Sequence, residues 1–378
     1  MVRLGVVGAG GAFALMSPKI AVHPEVELAA VYDSSPEKAT SLFGDSPVRI
    51  HETLEAMCGD ADVDALYVAT PHALHAEQTC LGLKAGKSVL VEKPMAVTLD
   101  ECDAMIAASD ASGAPLIVGP SHAFDPQIMM MSEMIGSGEF GALKMVTMAN
   151  FTDFLYRPRR PEELSTAHGG GAVLNQLPHH IDILRALDPG STVSTVTAGA
   201  GTWDESRPVI GAYTAFVEMA GGCVASITYS GYAHFLSDEL QGWWREQGDV
   251  APPPSYGTAR QALRGLTGVE ESQLKDARAT SVANSRLRPH LPHFGLVIAS
   301  CERADLLPVP DGVAVFGDYE HREHHIADRS GAAVLDELVA ATKRSAAPRH
   351  DGRWGRATLE ACLAVEVSAR EKRTVALR

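Results

Sequence analysis

The sequence predicts an α/β protein with a parallel sheet in its N-terminal third and a largely antiparallel sheet after it. Up to about residue 120, short apolar runs without polar alternation are separated by helical stretches, which is typical of parallel strands covered on both faces. After Gly119, β-rich segments follow one another with a single helical stretch among them. A chain of 378 residues suggests two domains, which we place at 1–122 and 123–378.

Each element of the first domain has its own signal. Apolar runs predict strands at 3–7, 26–32, 64–70, 88–92 and 115–119. Helical stretches lie near 11–22, 36–43, 52–58, 73–85 and 98–112. Strands and helices that alternate in this way predict consecutive βαβ units, whose strands pair in parallel.

The second domain is expected to be α+β. Segments rich in β-branched and aromatic residues predict strands at 143–151, 191–199, 211–220 and 223–232. One helix is predicted within 169–187 and another at the C-terminal end, 356–373. Residues 236–330 are the least regular, so we expect an insertion of loops and short helices with a return to strand near 311–319.

The charge balance limits the classes of partner. The chain carries 32 Lys and Arg against 47 Asp and Glu, a net charge of −15, which disfavours general binding to nucleic acid or to an anionic membrane surface. A local basic pocket for an anionic small molecule remains compatible with this balance. No apolar run reaches the roughly 18 residues of a membrane span. We therefore expect a small-molecule substrate, with no nucleic acid and no membrane as partners.

Cysteine usage and the N-terminal stretch bear on the compartment. The six cysteines are scattered without a CxxC pair, which indicates reduced thiols and neither a disulfide framework nor a zinc ribbon. The stretch LGVVGAGGAFALM looks like a signal peptide, but its four glycines occupy strand and turn positions and the α/β pattern continues after it. We expect a cytoplasmic protein.

A glycine turn follows the first strand and precedes the first helix. Gly8 permits a tight turn, and Gly10 lets the backbone approach a pyrophosphate at the helix N-terminus. The third position of the G-x-G-x-x-G pattern is Phe13, a departure, and Gly11 and Ala12 supply the small residues instead. A simple tight turn is the alternative. Asp33, at the end of the next strand, favours a dinucleotide site over a simple turn. We therefore expect these five residues to border the bound dinucleotide.

The end of the second strand favours NAD over NADP. Asp33 stands where a carboxylate accepts hydrogen bonds from the adenosine ribose hydroxyls, and Ser34 lies beside it. Ser34, Ser35 and Pro36 offer no positive charge for a 2′-phosphate, and we expect Lys38 to point outward along the next helix. Asp33 and Ser34 are therefore predicted to bind NAD.

Two loops are predicted at the carboxyl ends of parallel strands, the edge where ligands bind in open α/β sheets. Glu92 and Lys93 end one strand, and Lys93 can donate to a substrate hydroxyl or to the nicotinamide carboxamide. An ordinary loop lysine paired with Glu92 is the alternative. His72 and His75 follow another strand, and we expect both near the same ligand.

The stretch GGGAVLNQLPHHID places three polar side chains among apolar ones after a glycine run. Because proline is tolerated only in the first turn of a helix, Pro178 predicts a helix start close to Asn175. Asn175 is then either the N-cap or the residue that orients His179, the expected proton handler. His180 is expected to turn away from that face, and Asp182 to support the helix or His179.

Three segments together resemble the Gfo/Idh/MocA (glucose–fructose oxidoreductase/inositol dehydrogenase) family. They are the N-terminal glycine turn, AGKSVLVEKPMAVTLDE and GGGAVLNQLPHHIDILRAL. The resemblance covers most of residues 1–232 and returns at the C-terminal helix. It implies a Rossmann domain followed by an α+β domain with an open, mostly antiparallel sheet, which in many members also builds homodimers or homotetramers. It further implies NAD(P)-dependent oxidation or reduction of a carbinol, usually on a sugar or cyclitol.

The resemblance also implies roles for particular residues. In the family, catalysis uses the lysine of the EKP motif with an aspartate and a histidine four residues apart, which correspond here to Lys93, Asn175 and His179. Asn175 departs from the family's aspartate, and an amide can orient an imidazole without supplying charge. The implied neighbours of the nicotinamide are Thr70, Pro71 and His75.

An arginine-rich segment precedes the helix of the second domain. The candidate substrate-binding residues are Tyr156, Arg157, Arg159, Arg160 and His179. In a protein that is acidic elsewhere, adjacent arginines suit a bidentate clamp on substrate carboxylates. A solvated loop whose arginines pair with Glu162 and Glu163 carries equal weight.

With SITYSGYAHF (226–235), this segment resembles the family branch that dehydrogenates the cis-dihydrodiol of phthalate to a dihydroxyphthalate. We therefore predict an NAD-dependent dehydrogenase of a carboxylated ring diol, in which His179, or Lys93 assisting it, takes the hydroxyl proton. A sugar or cyclitol dehydrogenase is the first alternative. A catalytically silent NAD-sensing regulator and a glycosidase that holds NAD tightly are alternatives of other classes.

The motif HREHH (321–325) raises a metal hypothesis. Its surroundings predict a strand edge or a loop, and no Cys or paired carboxylate completes a ligand set. We therefore predict no metal site.

Overall fold

The computed structural model describes residues 1–232, 234–250, 253, 257–283, 289–327 and 331–377. The chain divides into two compact units. The first comprises Met1–Pro120, Asp276–Ser285 and Ala332–Leu359, and the second comprises Ser121–Lys275, Arg286–Gly331 and Glu360–Arg378. A single boundary at residue 122 places 332–359 in the second domain, but the structure returns this segment to the first unit. The reason is that the helix Ala333–Thr342 packs beside the strand Ser88–Val91.

The first unit is built on a six-stranded sheet. Its strands are β1 (Val2–Val7), β2 (Val26–Tyr32), β3 (Arg49–Ile50), β4 (Ala65–Val68), β5 (Ser88–Val91) and β6 (Leu116–Val118). Its first five helices are α1 (Gly11–Val22), α2 (Pro36–Phe43), α3 (Leu54–Gly59), α4 (His75–Lys84) and α5 (Leu99–Ser112). Every described strand pair in this sheet is parallel, in the order β3-β2-β1-β4-β5-β6, which is the doubly wound Rossmann order. The predicted parallel sheet is confirmed.

Apolar runs and caps explain where these elements lie. Every residue of β4 and β5 is buried, as non-alternating strands require. Thr98 caps α5 by accepting from the Glu101 backbone N–H, and the Glu101 carboxylate accepts from the Thr98 N–H. At the other end of α5, Gly113 has a φ of 67°, the left-handed region that glycine enters at little cost.

The second unit is built on a nine-stranded sheet. Its strands are β7 (Leu143–Phe151), β8 (Val193–Gly201), β9 (Ala212–Met219), β10 (Val224–Ser230), β11 (Leu296–Cys301), β12 (Ala304–Val309), β13 (Gly312–Gly317), β14 (His321–His325) and β15 (Val375–Ala376). The order is β14-β13-β12-β11-β7-β10-β9-β8-β15, and among the described strands β7 and β10 form the single parallel pair. The predicted, mostly antiparallel sheet is confirmed.

The remaining helices lie before or between the strands of the nine-stranded sheet in the sequence. They are α6 (Pro126–Gly136), α7 (Ala172–Asn175), α8 (Leu177–Leu187), α9 (Thr258–Ala262) and α10 (Gly268–Ala283), and two more, α11 (Ala333–Thr342) and α12 (Gly352–Glu371), follow β14 in the chain. Every residue of α8 is buried, because α8 packs against both α6 and the strands β7 and β10. Among the described residues, no helix combines the length and the apolar character needed to cross a membrane.

The segment 236–330 is more regular than expected. The sequence predicts loops, short helices and one strand there, whereas the structure has four strands, β11–β14, that run as consecutive antiparallel hairpins. β13 lies where a return to strand was expected, near 311–319. β11 and β12 are short, mainly apolar runs, whereas β14 consists of polar and charged residues. Residues 251–252, 254–256, 284–288 and 328–330 of this segment lie outside the described part of the chain.

Two helices, α6 and α11, fall where none is predicted. Pro126 occupies the first turn of α6, where its missing N–H costs nothing, and a methionine-rich run with good helix propensity follows. α11 is ten residues long and is rich in Ala, Val and Leu. Both helices are held by packing of their apolar faces, which a local pattern does not reveal.

Candidate active site

The glycine turn of the first unit is shaped for close approach by a ligand. Gly8 has a φ of 90°, and a Cβ there would lie 2.8 Å from Thr70 Cγ2, so glycine is required at this position. A Cβ on Gly10 or Gly11 would meet nothing within 4 Å, so this side of the turn is open. α1 begins at Gly11 and has no side-chain cap, which leaves its first N–H groups for an anion. The turn therefore fits a dinucleotide pyrophosphate.

Phe13 has a different role from its neighbours in the turn. Its side chain is buried, and its ring lies 5.8 Å from the ring of Phe43. Phe13 thus anchors α1 against α2, while Ala12 beside it is half-buried. This packing explains why an aromatic residue stands where the usual pattern has a third glycine.

Asp33 ties the end of β2 to the glycine turn. Its Oδ2 accepts the Ala9 N–H at 2.8 Å and its Oδ1 accepts the Ser35 N–H at 2.9 Å. Lys38 was expected to point outward, but its Nζ lies 3.3 Å from Asp33 Oδ2. The expectation for Lys38 is wrong because the side chain, one turn into α2, folds back to the carboxylate. Ser34 is exposed at the same corner.

His75 connects two loops at the carboxyl edge of the sheet. Its Nε2 lies 2.9 Å from the Thr70 carbonyl oxygen and its Nδ1 lies 2.9 Å from the Pro94 carbonyl oxygen. The side chain is wholly buried, and burial lowers its pKa although both carbonyls oppose that shift. His75 therefore fixes the geometry between the turn after β4, which also contains Pro71 and His72, and the loop that carries Lys93.

Glu92 is buried at the end of β5 and contacts a side chain of the neighbouring strand β4. The Tyr67 hydroxyl donates to Glu92 Oε1 at 2.5 Å, and burial raises the pKa of this carboxyl group. Lys93 follows directly and is half-buried. The buried Tyr67–Glu92 contact thus holds the backbone from which the Lys93 side chain extends.

His179 lies within a cluster of aromatic rings in the second unit. Its Nδ1 accepts the backbone N–H of His122 at 3.3 Å, and the two imidazole rings meet edge to face at 4.7 Å. The Phe294 ring centroid lies 4.7 Å from the ring centroids of His122, His179 and His180. His179 is 9% exposed, so packing fixes the orientation of its ring.

His180 and Asp182 have separate partners. His180 Nδ1 lies 2.9 Å from the Tyr213 hydroxyl, and burial lowers the pKa of His180 to about 3, so its imidazole is neutral. The Asp182 carboxylate lies 4.0 Å from the Arg185 guanidinium. His180 is therefore a core residue, and Asp182 pairs along its own helix.

Asn175 closes the glycine turn that precedes α8. Its Nδ2 donates to the carbonyl oxygens of Gly169 at 3.0 Å and Gly171 at 2.8 Å. Asn175 ends the short helix α7, and Gln176 is the N-cap of α8. The N-cap interpretation of Asn175 is therefore wrong, because the chain makes one extra turn before Pro178 starts the long helix.

Arg157 is neutralised by two carboxylates. Its Nε donates to Asp153 Oδ1 at 2.7 Å, and its Nη2 lies 3.5 Å from Glu246 Oε2. Burial acts to lower the pKa of Arg157, but Asp153 and Glu246 outweigh it and raise the pKa. The pKa of Glu246 is lowered in turn, since Arg157 overcomes the effect of burial on that carboxyl group.

The other residues of the arginine-rich segment are also engaged. The Arg159 guanidinium lies 3.9 Å above the Phe154 ring and 3.6 Å from Glu163. The Arg160 backbone N–H donates to the same Glu163 carboxylate at 2.8 Å. The Arg159–Glu163 contact matches the predicted ion pairing. The buried Tyr156 donates its hydroxyl to Asp204 at 2.7 Å.

Comparison with known proteins places these features in one family. A model of the oxidoreductase family with an NAD-binding Rossmann fold matches residues 2–120, and a model of the GFO/IDH/MocA C-terminal domain matches residues 128–241. A 1-carboxy-3-chloro-3,4-dihydroxycyclohexa-1,5-diene dehydrogenase from Comamonas testosteroni is 39% identical, over 96% of this chain and 94% of its own length. The chain belongs to the Gfo/Idh/MocA family. It is an NAD-binding oxidoreductase.

Other comparisons cover a wide range of similarity. An inositol 2-dehydrogenase from Rhizobium meliloti is 27% identical, over 63% of this chain and 71% of the relative. The crystal structure of a protein from Bordetella bronchiseptica RB50 that is described as a dehydrogenase superposes with a TM-score of 0.93 at 38% identity, with all of both chains covered. GenD2 from gentamicin A biosynthesis, solved with NAD, has a TM-score of 0.72 at 19% identity, covers 100% of this chain and 96% of its own, and shares the fold.

Sequence analysis missed three residues around the family's histidine. His122, Asp125 and Phe294 surround His179, and none of them was predicted to belong to the site. The signal was available for two of them, because SHAFD (121–125) places a histidine and an aspartate three residues apart after the last strand of the first sheet. Phe294 lies too far along the chain for any local signal.

The HREHH motif does not form a metal centre in the described part of the chain. β14 is the edge strand of the nine-stranded sheet, as the strand-edge expectation required, and the His321 ring stacks on Phe316 at 4.4 Å. No group of three His, Cys, Asp or Glu side chains among the described residues is arranged to hold a metal ion.

Proposed function

We propose that this protein is an NAD-dependent dehydrogenase of a carboxylated ring diol, with a cis-dihydrodiol such as the 4,5-dihydrodiol of phthalate as the first candidate substrate and the dihydroxyphthalate as its product. The observation that carries the proposal is the 39% identity, along nearly the whole of both chains, with a dehydrogenase whose name specifies a carboxy-dihydroxycyclohexadiene. Removal of two hydrogens from such a ring restores aromaticity, which favours oxidation.

The first unit is proposed to hold the cofactor. The open glycine turn receives the pyrophosphate through backbone N–H groups, and the Asp33 carboxylate receives the adenosine ribose. NAD, when bound, accepts the hydride that leaves the carbinol carbon. His75 keeps the loop of Lys93 in place, and Lys93 donates to the carbinol oxygen.

The second unit is proposed to handle the hydroxyl proton and to bind the substrate carboxylates. His179, fixed by Phe294 and by the His122 N–H, contacts the hydroxyl that loses its proton. Arg159 and Arg160 are the stronger candidates for the carboxylates, because Arg157 faces two acidic side chains, whereas the acidic partner of Arg159, Glu163, is also shared with Lys275. A homodimer or homotetramer through the nine-stranded sheet and a cytoplasmic location stay predictions.

Initial rates of NADH formation test the proposal. The panel consists of phthalate 4,5-cis-dihydrodiol, the cis-dihydrodiol of a benzene ring without carboxylates, inositols and aldoses. We expect kcat/KM for the carboxylated diol to exceed that for the uncarboxylated one by at least tenfold. Arg159→Leu should narrow this ratio, whereas Arg303→Leu, which removes an arginine bonded to Gly138 and Glu139 at the surface, should leave it unchanged.

The second candidate is a sugar or cyclitol dehydrogenase, which the kinship with inositol 2-dehydrogenases favours. Activity on inositols or aldoses alone would establish this alternative and reject the diol. Binding of NAD without turnover of any substrate, together with no effect of Lys93→Ala, would instead support the silent regulator. Release of an aglycone without net NADH would support the NAD-dependent glycosidase.

A further inference from the structure

His122 and Asp125 form an imidazole–carboxylate pair to which the comparisons give no role. Asp125 Oδ2 lies 2.6 Å from His122 Nδ1, and the two side chains are 12% and 14% exposed. Asp125 is the N-cap residue of α6, yet its side chain makes no capping bond. Its carboxylate therefore binds the His122 imidazole, whereas an N-cap side chain usually accepts a backbone N–H of its own helix.

The hydrogen bonds give the two adjacent histidines opposite tautomers. A carboxylate accepts hydrogen bonds only, so His122 carries a proton on Nδ1, and in the neutral imidazole its Nε2 is then unprotonated. A backbone N–H only donates, so His179 has an unprotonated Nδ1 and carries its proton on Nε2. His122 Nε2 is consequently an acceptor without a hydrogen bond to any described residue, and His179 Nε2–H is a donor.

The surroundings of His122 fix its ring plane and place other titratable groups near it. Phe294 stacks against its ring at 4.7 Å with an interplanar angle of 28°, which fixes the ring plane. Glu246, from the segment after β10, also interacts electrostatically with His122. His180 and His293 also interact electrostatically with His122, and burial lowers the pKa of both, while His179 contacts its ring directly.

We propose that His122, held by Asp125, is the residue that takes the hydroxyl proton, and that His179 donates a hydrogen bond to the same oxygen. This assignment rests on the proposed function and deepens it. The O–H bond breaks as its proton moves to His122 Nε2, the carbinol C–H bond breaks as hydride leaves to NAD⁺, and the C=O bond forms. The Asp125 carboxylate supplies beside His122 the negative charge that Asn175 cannot supply beside His179.

The tautomers can be measured without substrate. In protein labelled with ¹⁵N-histidine, long-range ¹H–¹⁵N correlation spectra distinguish Nδ1–H from Nε2–H rings, and loss of signals in His122→Gln and His179→Gln assigns them. We expect the Nδ1–H form for His122 and the Nε2–H form for His179, with the His122 form disturbed in the isosteric Asp125→Asn variant. An Nε2–H tautomer at His122 would overturn the proposal, whatever the substrate is.

Kinetics with the diol provide the second test. His122→Ala should lower kcat about 10²- to 10⁴-fold, leave the dissociation constant of NADH within twofold, and recover activity when imidazole is added. His180→Ala is the matched control, since it also removes an imidazole packed on Phe294, and its rate should not respond to imidazole. If wild-type protein oxidises the diol and His122→Ala retains full kcat, the assignment to His122 is wrong while the proposed function stands. If wild-type protein oxidises no diol, the function is wrong and the tautomers decide the assignment.

Discussion

Replacement of Asn175 by aspartate should destabilise the protein, although it restores the residue found at this position in the family. Asn175 Nδ2 donates to the carbonyl oxygens of Gly169 and Gly171 at 3.0 and 2.8 Å. A carboxylate has no proton to donate, so Asn175→Asp removes both hydrogen bonds and places a negative charge against two carbonyl dipoles. The turn that precedes α8 would have to open to relieve this contact.

The magnitude follows from the two bonds. Each hydrogen bond contributes about 1 kcal/mol net, so Asn175→Ala should cost about 2 kcal/mol. Leaving the carbonyls opposite a charged group adds roughly 1–3 kcal/mol, for a total of about 3–5 kcal/mol in Asn175→Asp. At about 2–4 °C per kcal/mol for a unit of this size, the melting temperature should fall by at least about 4 °C in Asn175→Ala and by clearly more in Asn175→Asp.

Thermal melts followed by circular dichroism between pH 4 and pH 8 measure both effects. The two carbonyls raise the pKa of the introduced carboxyl group in the folded state, and a raised pKa means that folding is penalised once the group ionises. The deficit of Asn175→Asp should therefore be full at pH 8 and shrink as the pH falls towards about 4, the ordinary aspartate value, whereas that of Asn175→Ala should not. Equal melting temperatures for wild type and Asn175→Asp at pH 8 would refute this reasoning.

Three other perturbations have defined outcomes. Gly8→Ala forces a side chain into positive φ and against Thr70, so NAD affinity measured by calorimetry should fall at least tenfold without loss of fold, and unchanged affinity would contradict the role of this turn. The buried Arg207 guanidinium is bonded to Glu271 at 2.7 and 3.1 Å, and Glu271→Gln removes its counter-charge, so the free energy of unfolding measured in urea should fall by about 3–5 kcal/mol. A second change, Arg207→Met, should restore part of this loss. Strict additivity of the two changes would argue against a coupled pair. Burial raises the pKa of Asp238 to about 6, so ionisation of this carboxyl group weakens folding as the pH rises from about 4 to above 6. Asp238→Asn should therefore raise the melting temperature at pH 7.5 but not at pH 4. A pH-independent effect would show that the charge is not the cause.

The first sheet was predictable because its signal is local. Each of the five predicted strands is an apolar run, and their alternation with helices indicates a doubly wound sheet. β3, two exposed residues long, has no such run and was not predicted. Of the hairpins β11–β14, only β13 was expected from the sequence, near 311–319. The other three were not, because such short strands are specified mainly by the neighbours with which they pair.

The candidate site shows the same division. The positions of Lys93 and His179 followed from short motifs, whereas the role of Asn175 depends on the carbonyl directions of two glycines that spacing does not encode. Lys38 illustrates a related limit, because a flexible side chain one turn into a helix can reach either solvent or a nearby carboxylate. His122 was within reach of motif analysis, and its pairing with an aspartate three residues later was the signal.

The position of Phe294 makes the segment 236–330 inseparable from the histidine cluster. Phe294 stands directly before β11, so the chain that carries it is the same chain that extends the nine-stranded sheet. A chimera that imports this segment from a relative would therefore also exchange the aromatic ring that packs against His122 and His179. Grafting experiments intended to alter only the edge of the sheet should therefore also change the rate of proton transfer. Sequence changes in that edge and in the histidines should occur together among related proteins.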